Sequence, residues 1–461
     1  MNDVVSRLLP FSPPETVFPR LCREPYFCYL DSCPGSGGRF SVMGTDPFVV
    51  MKSRAGRISV TQGGETRAFP GNPFEYLRHL LRDNDLSNPS FFGPGLMGFA
   101  GYDAGRYLEK VPVVAADDLQ VPDMVWCAYG TVLVFDLRAR TLTARTMRRG
   151  RSDDRARRDL DVLRDRVSGT GQPAGEAKDI PAPDVRSVTS NMTHEYYVEC
   201  IGRIREYIRR GDVYQINFAR RICAEGDFDT PSLYARLRGA NPTGYSGYFD
   251  AGDFRLLSNS PEIFLVREGD RVWTRPMKGT RPRGETPERD EAYARELMAS
   301  EKDAAELVMI VDLERNDIGK VCRYGSVGVP DLRRLETYDT VYQTTALVEG
   351  SLAEDAGCMD LVTAAFPGGS ITGAPKFRAM EIIEELEPNR RDFYTGSMGY
   401  IGFNGAMQLN ILIRTMLLRG AFLYYPVGGG IVWDSDAEEE FRETQTKAEA
   451  LFRALGTDDE S

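Results

Sequence analysis

Thr193-His-Glu-Tyr-Tyr-Val-Glu-Cys-Ile-Gly-Arg-Ile-Arg-Glu-Tyr-Ile-Arg-Arg210, followed at once by Gly211-Asp-Val-Tyr-Gln-Ile-Asn-Phe-Ala-Arg-Arg221, decides the fold class. Tyr197, Ile201, Ile204 and Ile208 recur at helical spacing behind Thr193, a good N-cap residue, whereas 214–221 reads as a strand. Such alternation marks an α/β or α+β protein. It continues downstream, with helices expected at 231–237, 291–312, 360–366, 375–386 and 437–455, and strands at 258–266, 399–403 and 408–418. Upstream, β-type runs at 26–30, 48–51 and 132–135 are punctuated by Gly and Pro, and an arginine-rich helix is expected at 148–167. The chain divides on this reading into a sheet-rich region, 1–168, an exposed Gly-, Pro- and Ala-rich linker, 169–187, and a second domain, 188–456.

With 461 residues, 42% of them hydrophobic, the chain can bury a large core. No stretch approaches the roughly 20 consecutive apolar residues of a membrane span, and 1–10 lacks the basic and apolar segments of a secretion signal. A cytoplasmic protein, without a membrane partner, is expected. The net charge of −11 and the lack of an aromatic-interleaved basic stripe also argue against nucleic acid as a partner. The eight cysteines form no C-x-x-C pair and read as reduced, packed thiols. His79 and His194 are the only histidines, and neither adjoins a nucleophile motif, so acid–base work falls to carboxylates and lysine.

Four segments combine glycine, charge and hydroxyls. In Pro276-Met-Lys-Gly-Thr280, Lys278 leads into a glycine turn and, taken alone, reads as an exposed turn lysine. In Ser258-Asn-Ser-Pro-Glu262, Pro261 stiffens the backbone beside Glu262, which is either an edge carboxylate in water or an acid held against the apolar run that follows. The helix with Asp303, Glu306, Asp312, Glu314 and Asp317 offers carboxylates, one or two of which suffice for magnesium. The glycine-rich turns Pro367-Gly-Gly-Ser-Ile-Thr-Gly-Ala-Pro-Lys376 and Val427-Gly-Gly-Gly430 expose backbone N–H groups suited to an anion. Glu440, Glu443 and Lys447 share one face of the last helix.

Pro276-Met-Lys-Gly-Thr-Arg-Pro-Arg283, Asp312-Leu-Glu-Arg-Asn-Asp-Ile-Gly319, Gly369-Ser-Ile-Thr-Gly-Ala-Pro-Lys376 and Gly428-Gly-Gly-Ile-Val432 with Glu443 and Lys447 together resemble the chorismate-binding enzymes. That family includes anthranilate, aminodeoxychorismate, isochorismate and salicylate synthases. The resemblance runs over about 193–455 and implies a large two-layered α/β sandwich with mostly antiparallel sheets and outer helices. Water-using branches carry a lysine base where this chain has Gln215, whose neutral amide cannot take a proton from water. Lysine at position 278, where anthranilate synthases typically have alanine, and the order Ser370-Ile-Thr372 resemble the aminodeoxychorismate-forming branch.

The resemblance further implies Mg²⁺ on Glu306 and Glu443. It assigns chorismate to Gln215, Thr280, Ser370, Tyr394, Arg414, Gly428, Gly429, Gly430 and Lys447, with Glu262 as general acid and Lys278 as nucleophile. Ammonia is the co-substrate, from solution or from a separate glutamine amidotransferase small subunit, because the chain has no Cys–His glutaminase constellation. Leu30-Asp-Ser32 and Asn241-Pro-Thr-Gly-Tyr245 lie where relatives bind tryptophan, with a partial match. Two other readings stand beside this one. They are an anthranilate synthase component and a non-catalytic relative that senses a ligand.

Overall fold

The computed structural model describes residues 3–33, 38–86, 90–148, 152–168, 180–240, 242–338 and 341–457. The expected helix at 193–210 spans His194–Arg209, with the Thr193 hydroxyl accepting from Tyr196 N, and it buries Tyr197, Cys200, Ile201 and Ile204. These pack with Ile382 and Ile383 of helix Lys376–Leu386 and with Phe218 of strand Gln215–Asp227, which is the period-3.6 face meeting a pleated surface.

Among the described residues the strands form two 12-stranded sheets, and every strand pairing is antiparallel. Both sheets draw on both halves of the chain. In one, Cys28–Asp31 pairs with Tyr245–Asp250 (Tyr29 opposite Tyr248); in the other, Gly95–Ala100 pairs with Ser397–Gly402 (Met97 opposite Tyr400). The regions 1–168 and 188–456 are thus joined through two continuous ladders. Of the expected linker, 169–179 lies outside the described residues, while Asp184–Ser190 is a strand on the edge of the first sheet.

Leu256 and Leu417 from the first sheet meet Met97, Phe99 and Met398 from the second in a core between the layers. Helices cover the outer faces: Phe18, Leu237 and Leu451 pack on the first sheet, Val311 and Val362 on the second. At about 25 cal/mol per Å² of apolar surface removed from water, these interfaces are the main stabilising term. No described helix is long and apolar enough to cross a membrane.

Three sequence expectations need correction, and each bears on the site. The strand expected at 258–266 is two strands, Arg255–Ser260 in the first sheet and Ile263–Glu268 in the second, because Pro261 lacks an N–H and interrupts the ladder. The strand expected at 408–418 breaks likewise into Met407–Asn410 and Thr415–Arg419, and Arg414 there has φ +50°. The two crossings bond to each other, Ile411 N to Glu262 O at 3.0 Å and Asn259 N to Arg414 O at 3.0 Å. The helix expected at 291–312 is Pro287–Ala299 followed by Glu301–Gly319, parted at Ser300, whose hydroxyl caps the second helix through Asp303 N.

Candidate active site

Glu262 sits where one strand leaves the first sheet for the second, and this makes it a residue of the interior, 5% exposed. Ser370 Oγ donates to Glu262 Oε1 at 2.7 Å. Burial pushes the Glu262 carboxyl up to about 7, against the opposing pull of the Ser370 bond and of Lys278 and Lys447. An acid with that value is half protonated at neutral pH, the range in which a general acid works best.

Lys278 is not in a turn. It lies in strand Met277–Pro282, at a β-bulge where Gly279 has φ +73°, and a Cβ on Gly279 would stand 2.8 Å from Asp303 Cγ. Lys278 Nζ is 3.8 Å from Glu306 Oε2 on helix Glu301–Gly319, and both side chains are largely buried. Burial raises the Glu306 carboxyl, Lys278 and Lys302 oppose this, and Asp303 and Glu443 add to it. Glu443, on helix Ala437–Leu455, is lowered chiefly by Lys447, whose Nζ is 2.7 Å from Glu443 Oε1 and also donates to Gly428 O at 2.7 Å.

Gly428, Gly429 and Gly430 are likewise strand, not turn: they belong to Phe422–Ile431, opposite Ala219, Phe218 and Asn217. A Cβ on Gly430 would fall 2.2 Å from Gln215 Nε2 and 3.3 Å from Lys278 Nζ, and one on Gly429 would fall 3.2 Å from Glu440 Oε2 and 3.7 Å from Glu443 Oε1. The missing side chains keep this floor open. Gln215 is 1% exposed, yet neither its Nε2 nor its Oε1 has a hydrogen-bond partner among the described residues, and the same holds for Asn217 Oδ1 and Tyr197 Oη. Buried polar atoms usually have a partner in protein, water or ligand, so these side chains are available to a polar ligand.

The structure therefore brings together Glu262, Lys278, Glu306, Glu443, Lys447, Ser370, Gln215 and Gly428 to Gly430. Tyr394 is buried, with the Arg391 guanidinium 5.9 Å from its ring centroid, and burial lowers the Arg414 guanidinium, which feels the Tyr425 phenol. Thr280 is exposed and accepts from Gln343 Nε2 at 3.3 Å. Sequence reasoning had not given Glu440 a role. It is 5% exposed and accepts from Ser435 Oγ at 2.6 Å, and burial raises its carboxyl. Its spacing of three from Glu443 was the available signal.

Ser32, Thr243 and Tyr245 line a cavity of about 360 Å³ with Pro261, Trp273, Gln343 and Arg414. Asp31 does not open into it: its carboxylate takes Arg238 Nε and Tyr29 Oη, each at 2.6 Å. Asn241 lies outside the described residues. The described histidines are remote, His194 Nε2 bonding Glu438 Oε2 at 2.9 Å, and all eight cysteines are free thiols.

The donor set suits a hard divalent cation. Glu443 is close enough to Glu306 to help raise its carboxyl, and each has a lysine as counter-charge. Among the described residues no three Asp, Glu, His or Cys side chains close on one point.

The sequence pattern of the chorismate binding enzymes matches residues 27–453. Aminodeoxychorismate synthase component 1 of Bacillus subtilis (strain 168) is 37% identical over 428 residues, 92% of this chain and 91% of that protein. Anthranilate synthase component 1 of Thermus thermophilus is also 37% identical, over 455 residues, 96% of this chain and 95% of that protein. The structure of anthranilate synthase component I from Streptococcus pneumoniae TIGR4 superposes with a TM-score of 0.81 at 30% identity, covering 92% of this chain and 93% of that one. By sequence over nearly its whole length, by fold and by the residues gathered at the sheet crossing, the chain belongs to the chorismate binding enzyme family.

Proposed function

We propose that the chain aminates chorismate at C4, giving 4-amino-4-deoxychorismate, and so serves 4-aminobenzoate and folate synthesis. The observation that carries the reading is Lys278, set beside Glu306 and close to the Gln215 amide and Glu262. Glu262 gives its proton to the departing C4 oxygen while Lys278, as the free amine, attacks C2 and the two ring double bonds shift. Ammonia then adds at C4, the double bonds shift back, and the C2–lysine bond breaks. The enolpyruvyl group is retained, so a separate lyase releases 4-aminobenzoate.

Glu306 and Glu443 would hold Mg²⁺, which when bound supplies positive charge to neutralise a substrate carboxylate. Lys447 and the backbone of Gly428 to Gly430 add fixed dipoles and charge on the same side. Gln215 offers a neutral amide where a base would be needed to activate water, which favours ammonia as the nucleophile. A glutamine amidotransferase small subunit would deliver that ammonia.

The second reading, anthranilate formation, is favoured by the equal identity to the Thermus relative of that name. The two separate on products. Purified chain is incubated with chorismate, Mg²⁺ and an ammonium salt at mildly alkaline pH, with and without aminodeoxychorismate lyase. Lyase-dependent 4-aminobenzoate is the expected result, and anthranilate without the lyase would establish the alternative.

A further inference from the structure

Asp317, Lys320 and Lys376 have no part in the chemistry above, yet they are tied together beneath it. Asp317 is 2% exposed; its Oδ2 accepts from Lys376 Nζ at 2.6 Å and its Oδ1 from Lys320 Nζ at 3.0 Å. The same two amines donate to Ala365 O at 2.7 Å and to Ala364 O at 3.2 Å. Those carbonyls end helix Cys358–Ala365, where partial negative charge gathers. One carboxylate therefore locks two ammonium groups onto one helix end.

Lys376 also opens helix Lys376–Leu386, so its bond to Ala365 O closes the base of the intervening segment 366–375. That segment carries Ser370. It is held elsewhere by Arg391 Nη1 on Ile371 O at 2.9 Å and Asn217 N on Thr372 O at 2.8 Å. Toward the helix bearing Asp317 it has no slack: a Cβ on Gly369 would stand 2.6 Å from Leu313 Cδ2.

We propose that Asp317 and Lys376 are positioning residues whose ion pair holds segment 366–375 where Ser370 Oγ reaches Glu262 Oε1, leaving Oε2 to carry the acid's proton. The inference rests on Glu262 as the general acid. The charged groups facing that carboxyl are Lys278, Lys447 and Glu314; the first two lie on elements apart from the pair, whereas Glu314, on the helix of Asp317, is pushed up by Asp317 and down by Lys376, so a shift of the same sign in variants of both is not relayed through it.

The test is the alkaline limb of the pH–kcat profile in S370A, K376M and the double variant. Ser370 favours the ionised form of Glu262, so S370A moves the limb up by about 1 pH unit, the worth of one hydrogen bond to a charged group. K376M moves it equally, the double variant moves it no further, and K376R restores it. D317N, which keeps the side-chain shape, repeats the K376M shift and covers the case in which K376M does not fold. A wild-type limb in both K376M and D317N, or shifts that add in the double variant, overturns the proposal. A limb unmoved in S370A overturns instead the assignment of Glu262 on which it rests.

Discussion

Lys278 and Gln215 converge on one backbone position, the Cα of Gly430, where an added Cβ would be 3.3 Å from the lysine Nζ and 2.2 Å from the glutamine Nε2. They come from different sheets: Lys278 from the edge strand of one, Gln215 from near the edge of the other. Their meeting point is a product of the sandwich rather than of either local sequence.

G430A is predicted to push the Gln215 amide away from Lys278 without straining the backbone, and so to lower kcat/KM by roughly 10²-fold, the scale of a 1 Å misplacement. G428A behaves differently, because its Cβ would stand 2.5 Å from Phe218 O on the paired strand. There the loss is in stability, about 1–3 kcal/mol by denaturant unfolding.

Glu262 titrates near 7 and acts in its protonated form, so kcat is predicted to fall as pH rises through about 7. E262Q removes the acid and lowers kcat by about 10²-fold or more. On stability E262Q acts in the opposite sense to its effect on kcat. A carboxyl raised by burial contributes its full stability below its unfolded value and loses it as pH climbs from that value towards 7, so E262Q gains on the wild type over this interval in pH-dependent unfolding.

Glu306 and Glu443 are each predicted to be needed for magnesium. E306Q and E443Q weaken Mg²⁺ binding in calorimetric titrations of the folded protein, whereas D312N, on an exposed face of the same helix as Glu306, leaves it unchanged.

Much of the secondary structure was legible because its causes are local. The helix behind Thr193 has its cap and apolar period in one window, and so does the last helix, capped by Asp436. What was not legible depends on distant partners. Pro261 signals an interruption, but only the second sheet, waiting on the other side, turns it into a crossing; Arg414 at φ +50° carries no signal at all. Three consecutive glycines at 428 to 430 read as a turn, yet they are strand because their role is to leave space. The Ser300 cap was readable from its hydroxyl and was hidden by an unbroken helical composition on either side. At the site, the motifs named Glu262, Lys278, Glu306 and Glu443, whereas the Asp317–Lys376 pair, with both members in quoted motifs, needed the tertiary fold to be seen.

The most direct measurement is product formation by K278A, with chorismate, Mg²⁺ and an ammonium salt, scored with added lyase and alongside a chorismate-binding titration. If lysine attack at C2 is the route to 4-amino-4-deoxychorismate, K278A still binds chorismate and makes almost none of the aminated product. Undiminished lyase-dependent 4-aminobenzoate from K278A would contradict it.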